Sequence, residues 1–325
     1  MLSLLCAFDY TILAWVLGGV AIFALVSWIV MCVIIARWVY LSNMRRKDKD
    51  SWSRGKPSCN ESEQIAMYNE GMEWHAANVD KKHDVHIVRD GCNLYGEYYD
   101  FGYSRCMILM SGRTETLEYG YYFAAPYQKV GCNILVVDPR AHGRSDGEFN
   151  TGGFEESKDA LAWARFLHDN FGVKSIILHS ICIGAAGAMF AITSDECPDY
   201  IDGMVAEGMF ACFSESMKQH LIEKKKPVIL LNDMIDMWMK HYIGHSGKFG
   251  PIDVIDKMKK PLLMIHSKED LYSTPEYAQK LFDKAQSEPK QLVWFEHGRH
   301  SMLRYADTAK YDQAIVDFVK ENFSK

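Results

Sequence analysis

The chain has 325 residues, nine of them cysteines, and a formal net charge of −6. This length is sufficient for one large α/β domain with an appendage. The modest acidic charge is not concentrated in one segment, which argues against nucleic acid as a partner. The cysteines lack the paired spacings of a disulfide framework or a zinc site, and they fit a reducing compartment.

The N-terminal part of the chain contains a long apolar stretch. Residues 12–36 are apolar except for Ser27, and these 25 residues exceed the ~20 that a helix needs to cross a bilayer core. A cleaved signal peptide would have a basic start and a shorter apolar run, whereas this start has Asp9 and no Lys or Arg. We therefore expect residues 1–42 to be a retained transmembrane anchor.

Basic residues predict the orientation of that anchor. They all follow the apolar stretch and none precedes it: Arg37, Arg45, Arg46, Lys47 and Lys49. Positive charge on the cytoplasmic side then places the large C-terminal part in the cytoplasm, bound to the membrane through the helix. Residues 43–62 are polar and contain Gly, Pro and Ser, which predicts a flexible tether before a domain over 63–325.

The domain alternates between strand and helix patterns. An antiparallel start, with a predicted hairpin whose turn is at residues 89–91, is followed by repeating strand–helix units. This order predicts an α/β fold with a mostly parallel central sheet and helices on both faces. The predicted strands are 83–88, 94–99, 106–110, 134–138, 176–181, 201–207, 262–266 and 292–295, and the predicted helices are 63–76, 116–128, 155–168, 275–284 and 308–322.

One segment breaks this alternation. Residues 210–250 contain the charged run 223–226, an interruption at Pro227, and a Met-rich apolar stretch over 228–239. Inserted between two late strands, this segment fits a small helical lid whose Met side chains form an adaptable apolar wall. An ordinary packed helix pair is the alternative.

The segment 176–188 runs from a buried strand through a tight bend into a helix of small residues. Such a bend crowds the positions two before and two after its centre, so both must be small. A centre at Cys182 places Ser180 and Gly184 there, whereas a centre at Ser180 places Leu178 there. The pattern therefore favours Cys182. It resembles the G-x-S-x-G nucleophile elbow of α/β hydrolases, with Cys in place of Ser, as in dienelactone-hydrolase-like enzymes.

The α/β-hydrolase resemblance implies an acid and then a histidine, each on a loop after a later strand. The stretch 261–270 resembles the family's strand, H-G-x-x-D segment, and it assigns the acid to Asp270, with Glu207 as the alternative. The stretch 292–301 resembles the ending G-x-H-S, which selects His300 over His297.

Two further segments resemble the monoglyceride-lipase, lysophospholipase and S33 serine aminopeptidase branch of α/β hydrolases. Residues 111–115 resemble its P-G-R-x-E stretch, and residues 138–147 resemble its D-x-R-G-H-G-x-S-x-G turn. The resemblance implies backbone donors to an oxyanion at Ile183 and Arg113, and a structural role for His142 and Asp146 within the second segment.

These features predict a membrane-anchored hydrolase that cleaves acyl ester or thioester bonds through Cys182, His300 and Asp270, with lipid-derived esters as a candidate substrate class. No metal or organic cofactor is implied. One alternative is a dienelactone-hydrolase-like or acyl-transferring enzyme that acts on a small activated ester. The other is a binding protein that kept the fold and lost the activity.

Overall fold

A computed structural model describes residues 10–46 and 62–323 of the chain. Eight strands form one sheet in the order β1-β2-β4-β3-β5-β6-β7-β8. The hairpin β1–β2 and the pair β2–β4 are antiparallel, and all other neighbours are parallel. This confirms the predicted fold class. The strands are β1 Lys82–Arg89, β2 Cys92–Tyr99, β3 Arg105–Met110, β4 Asn133–Val137, β5 Ser175–Ile181, β6 Ile201–Glu207, β7 Leu262–Ser267 and β8 Lys290–Phe295.

Helices cover both faces of the sheet, so its central strands are continuous apolar runs rather than alternating ones. Helices α5, α6 and α9 pack on one face, and α2, α4 and α11 pack on the other. The helices are α1 Tyr10–Met44, α2 Ser62–Asn78, α3 Leu117–Gly120, α4 Ala124–Lys129, α5 Phe154–Phe171, α6 Ile183–Ile192, α7 Phe213–Glu223, α8 Leu231–Ile243, α9 Pro275–Lys284, α10 Leu303–Ala306 and α11 Thr308–Phe323.

The predicted helix over 116–128 is two short helices, α3 and α4, joined by the 3₁₀ turn Tyr121–Phe123. The chain passes close to the sheet at Gly120, where an added Cβ would lie 2.4 Å from Leu109 Cδ2. The sequence pattern alone did not reveal this close approach.

Helix α1 has an exposed part and a part packed on the domain. All side chains from Tyr10 to Met31 are exposed, whereas Ala36, Tyr40 and Met44 are buried. By length and composition, α1 can cross a membrane. Its packed part joins helix α8 in an apolar cluster.

The end of α1 corrects the start of the predicted tether. Residues 43 and 44 are helical, the Arg46 amide donates to the Glu148 carbonyl (2.8 Å), and the Asn150 amide donates to the Met44 carbonyl (2.9 Å). The first four residues of the predicted tether are therefore fixed to the domain by backbone hydrogen bonds. Of the rest, residues 47–61 lie outside the described residues, and Ser62 is the first residue of α2.

The segment 210–250 folds into α7 and α8 between β6 and β7. Helix α8 carries most of the Met-rich stretch, and its buried Met234 and Met239 belong to the cluster shared with α1. Helix α7 is the element of this segment that approaches the carboxyl edge of the sheet. Residues 210–250 are thus a helix pair in which α8 packs on the N-terminal helix.

We expect Tyr40→Ala to lower the free energy of unfolding by about 3–5 kcal/mol, the usual cost of truncating a buried aromatic side chain. Tyr40 is fully buried and stacks on Tyr242 with ring centroids 5.6 Å apart. The measurement is denaturant unfolding of the full chain in detergent micelles. Trp38→Ala is the matched control, since that neighbouring ring is 69% exposed. Equal losses in the two variants would contradict the packing of α1 on the domain.

Candidate active site

The turn between β5 and α6 is centred on Cys182, whose backbone has φ 54° and ψ −116°. A non-glycine residue with this φ is strained, and such strain requires the surrounding structure to hold it. Gly184 supplies part of that support, because a Cβ there would lie 2.3 Å from the Met110 carbonyl oxygen. On the other flank, the buried Ser180 donates its Oγ hydrogen to the Val205 carbonyl at 3.0 Å. The small residues at both flanks therefore serve the geometry that the sequence predicted.

Asp270 follows β7 and His300 follows β8. Nδ1 of His300 lies 2.7 Å from Oδ2 of Asp270. The other carboxylate oxygen, Oδ1, accepts the amides of Tyr272 (2.8 Å) and Ser273 (2.9 Å), which fixes the acid. Cys182 lies within side-chain hydrogen-bonding reach of His300. The three predicted side chains thus meet at the carboxyl edge of the parallel sheet, each from a different strand.

The electrostatics of this group favour a protonated imidazole. Burial alone would lower the pKa of His300, but negative charge on Cys182 and Asp270 outweighs it and holds that pKa well above its usual range. Burial would likewise raise the pKa of Asp270, and the His300 charge with the hydrogen bonds it receives lowers that pKa instead. An imidazolium paired with the Asp270 carboxylate is the arrangement that these two shifts describe.

The two alternatives for the acid and the base lie in different surroundings. The carboxylate of Glu207 is buried and accepts the Tyr311 hydroxyl (2.6 Å) and the Leu303 amide (3.1 Å). Burial raises its pKa to about 7. His297 has a side chain that is 87% exposed and pairs with Glu269 at 2.9 Å. Neither alternative takes part in the pair that Asp270 and His300 form.

The loop after β3 lies beside Cys182. An added Cβ at Gly112 would be 3.6 Å from Cys182 Cβ. The Gly112 amide donates to Glu115 (2.9 Å) and the Thr114 amide donates to His142 Nε2 (3.0 Å), so both neighbours of Arg113 are fixed. The remaining predicted donor, the Ile183 amide, is the first of α6 and therefore has no acceptor within its own helix.

His142 and Asp146 make the structural contacts expected of the 138–147 turn. Nδ1 of His142 faces the Arg140 carbonyl at 2.8 Å, and burial lowers the pKa of this imidazole to about 4. The neutral ring can therefore accept the Thr114 amide. The Asp146 carboxylate accepts the Asn93 amide at 3.1 Å, which ties the turn to β2.

A cavity of about 400 Å³ opens above Cys182 and His300. One face of α7 forms a wall through Phe213, Ser216, Met217, His220 and Glu223, which share helical spacing. The rest of the lining comes mainly from the 112–115 loop, the 269–272 loop and residues 299–302. Helix α8 contributes no lining residue among those described, so the Met-rich stretch is not the cavity wall that the sequence suggested.

Sequence reasoning missed Tyr272 and Gly208. The Tyr272 ring stacks on His220 at 3.9 Å, lies 5.5 Å from the His300 ring, and donates its hydroxyl to Glu223 at 2.5 Å. Gly208 has φ +58°, and a Cβ there would come within 3.1 Å of the His300 ring. A glycine directly after the strand that ends at Glu207 was the available signal for this close approach.

Within residues 10–46 and 62–323, no group of three or more His, Cys, Asp or Glu side chains is placed to hold a metal ion.

Comparison with known proteins agrees with this fold. A family model described as serine aminopeptidase, S33, matches residues 253–307, the segment that contains Asp270 and His300. The uncharacterized protein YqkD of Bacillus subtilis (strain 168) is 29% identical over 216 residues, which is 66% of this chain and 70% of that protein.

Solved structures extend the comparison to the three-dimensional level. Esterase Pf2001 of Pyrococcus furiosus has a TM-score of 0.63 at 21% identity and covers 76% of this chain and 95% of its own. Est1E of Butyrivibrio proteoclasticus, solved with ferulic acid bound, has a TM-score of 0.58 at 19% identity. The match covers 74% of this chain and 100% of the Est1E chain. The chain therefore has the α/β-hydrolase fold, and its similarities are to hydrolases.

We expect Gly184→Ala to destabilise the protein by about 1–3 kcal/mol or more, as overpacking of a closed interior does. The new methyl group would meet the Met110 and Ser111 carbonyl oxygens at 2.3 and 2.6 Å. Thermal unfolding measures the loss. Gly187→Ala is the control on the same helix, because its nearest neighbour is the flexible end of Met110 at 3.1 Å. A Gly184 variant as stable as the Gly187 variant would be inconsistent with the close approach of α6 to β3.

We expect Asp270→Asn to lower the free energy of unfolding, relative to the unsubstituted protein, and to do so by more at mildly acidic pH than at strongly alkaline pH. The pKa of His300 is raised in the folded state, so its ion pair stabilises fully below the ordinary histidine pKa of 6.5 and is lost as pH rises through the folded value. The measurement is the unfolding free energy of both proteins across pH. Glu269→Gln, which removes an exposed carboxylate, is the control and should show a much smaller loss. A loss independent of pH would argue against the ion pair.

Proposed function

We propose that this chain is a membrane-anchored hydrolase that cleaves acyl ester or thioester bonds with Cys182 as nucleophile. The observation that carries the proposal is that Cys182, His300 and Asp270 contact one another in that order beside a cavity. Cys182 lies in reach of His300, whose Nδ1 bonds the buried Asp270. Nucleophile, base and orienting acid are the parts that acyl transfer through a covalent intermediate requires.

In the proposed first half-reaction, the Cys182 sulfur attacks the carbonyl carbon and its proton resides on His300. The carbonyl π electrons move to oxygen, and the amides of Ile183 and Arg113 are proposed to stabilise that oxyanion. When the intermediate collapses, the C–O or C–S bond to the leaving group breaks. His300 gives the proton to the departing oxygen or sulfur, which leaves an acyl thioester on Cys182.

In the second half-reaction, water attacks the thioester carbonyl while His300 takes one of its protons. Collapse of the second tetrahedral intermediate releases the carboxylic acid, and the Cys182 sulfur leaves with the proton that His300 returns. Asp270 stays ionised throughout, because its low pKa and its two backbone donors favour the charged form. Its part is to orient the ring and stabilise the imidazolium.

Helix α1 supports a site that faces a bilayer. The helix ends at the same edge of the sheet as the cavity, where the Arg113 guanidinium donates to the Asn43 carbonyl at 3.3 Å. Its basic residues follow the apolar part, which favours a cytoplasmic domain. Lipid-derived acyl esters are therefore the substrate class we propose, and the esterases among the structural neighbours agree with ester cleavage.

Two alternative functions differ from this proposal, one in the substrate that is cleaved and the other in the absence of catalysis. A dienelactone-hydrolase-like or acyl-transferring enzyme would prefer small activated esters, so a panel of nitrophenyl esters from short to long acyl chains separates it from a lipid hydrolase. A binding protein without activity would hydrolyse none of them.

We expect Cys182→Ala to lower kcat/KM for nitrophenyl ester hydrolysis on the order of 10³-fold or more, because the covalent step loses its nucleophile. The full chain in detergent is the protein to assay. Cys197→Ala is the matched control, since this thiol is equally half-buried but contacts Lys260 away from the cavity. It should keep wild-type activity.

A second readout keeps the assignment testable where no substrate in the panel is turned over. Iodoacetamide labelling mapped by peptide mass spectrometry should alkylate Cys182 faster at neutral pH than a cysteine of the urea-unfolded chain. Unchanged hydrolysis in Cys182→Ala, or slow alkylation of Cys182 together with no hydrolysis, would refute the nucleophile assignment.

A further inference from the structure

The segment between α7 and α8 combines exposed apolar and basic side chains. We define the basic turn as residues 222–230, from the last turn of α7 to the residue before α8. Ile229 is 90% exposed, the highest value for a large apolar side chain among the described residues, and Ile222 is 50% exposed. Between them stand Lys224, Lys225 and Lys226, all exposed.

The three lysines have no internal role in the described parts of the chain. No ion pair or side-chain hydrogen bond joins them to residues 10–46 or 62–323. The acidic residue beside them, Glu223, is engaged by the Tyr272 hydroxyl at 2.5 Å. Three ammonium groups and two isoleucines thus point to solvent from one short turn, a combination that suits the anionic surface of a membrane.

The position of α1 shows where a bilayer would lie. The exposed part of α1, Tyr10–Met31, has 22 residues. At 1.5 Å per residue it measures roughly 33 Å, which matches the ~30 Å hydrocarbon core of a bilayer. The domain begins to cover α1 at Cys32, which is half-buried. The membrane boundary of an inserted α1 therefore falls where the domain starts.

Helix α8 runs parallel to α1, and this places the basic turn on the membrane side of the domain. The Val33 carbonyl accepts the Trp238 indole N–H at 3.0 Å, and Arg37 donates to the Tyr242 hydroxyl at 2.8 Å. Residue numbers therefore increase in the same direction along α1 and α8. Helix α8 begins seven residues before Trp238, up to roughly 10 Å further toward the exposed part of α1. The basic turn directly precedes that start.

We propose that the basic turn docks on the bilayer that α1 spans, with its lysines on anionic lipid headgroups and Ile222 and Ile229 in the interface. This inference rests on the proposed membrane anchor and goes beyond it. Because α7 also forms a wall of the cavity, with Glu223 at its edge, docking sets the mouth of the cavity at the lipid surface. An acyl substrate then reaches Cys182 without crossing bulk water.

The test is hydrogen exchange of the full chain in lipid nanodiscs of phosphatidylcholine, alone or with phosphatidylglycerol. Amides of residues 222–230 should exchange roughly tenfold more slowly in the phosphatidylglycerol discs, because each lysine near an anionic surface adds to the attraction. The variant Lys224→Gln/Lys225→Gln/Lys226→Gln should lose this difference. A control variant, Lys174→Gln/Lys257→Gln/Lys259→Gln, removes the same charge from exposed sites outside the turn and should retain it.

Co-purification of the protein with the nanodiscs reports on the anchor separately. Failure to associate with either disc overturns the anchor and the docking together. Association with equal exchange of residues 222–230 in the two lipids overturns docking alone, as does a phosphatidylglycerol effect that survives in the Lys224→Gln/Lys225→Gln/Lys226→Gln variant. Unchanged thermal unfolding of both lysine variants establishes that they are folded.

Discussion

Gly184 lies so close to the Met110 and Ser111 carbonyl oxygens that helix α6 starts directly against the end of β3. This contact supports Cys182, two residues earlier, in a backbone conformation that L-residues rarely adopt. The same approach brings the 111–115 loop beside the thiol. The positions of Cys182 and of the 111–115 loop are therefore set by one packing constraint, and Asp270 and His300 reach this point from the ends of β7 and β8.

The parts of this site that could be predicted from sequence are those governed by strand ends. The parallel sheet places the residues after β5, β7 and β8 at one edge, so motifs read separately at 182, 270 and 300 had to converge. The choice between Asp270 and Glu207 could not be made from strand position alone, because Glu207 ends β6 and Asp270 follows β7, both at the carboxyl edge of the sheet. The choice depends on the hydrogen-bond partner of each carboxylate. Glu207 accepts the Tyr311 hydroxyl inside the core, whereas Asp270 contacts His300.

The N-terminal region shows where sequence reading failed. Composition predicted a flexible tether from residue 43, since polar residues begin there, yet the chain is hydrogen-bonded to the domain as far as Arg46. Composition likewise suggested that the Met-rich helix would cover the cavity. Its apolar residues instead pack against the buried residues of α1 in one apolar cluster. The contacts of residues 44 and 46 with 148–150, and of α1 with α8, join segments that are far apart in the sequence. Hydrophobic periodicity within one segment could not predict them.

Hydrogen bonds also connect the end of α1 to the candidate site. The Arg46 guanidinium, just past the end of α1, donates to the Ser145 carbonyl (2.6 Å) and the Gly143 carbonyl (2.5 Å) of the 138–147 turn. In the same turn, His142 accepts the Thr114 amide and so fixes the loop beside Cys182. Hydrogen bonds therefore connect the base of α1, through the 138–147 turn, to Thr114, the neighbour of the proposed oxyanion donor Arg113. A shift of α1 relative to the domain would strain these hydrogen bonds, so α1 and the loop beside Cys182 keep one orientation to each other.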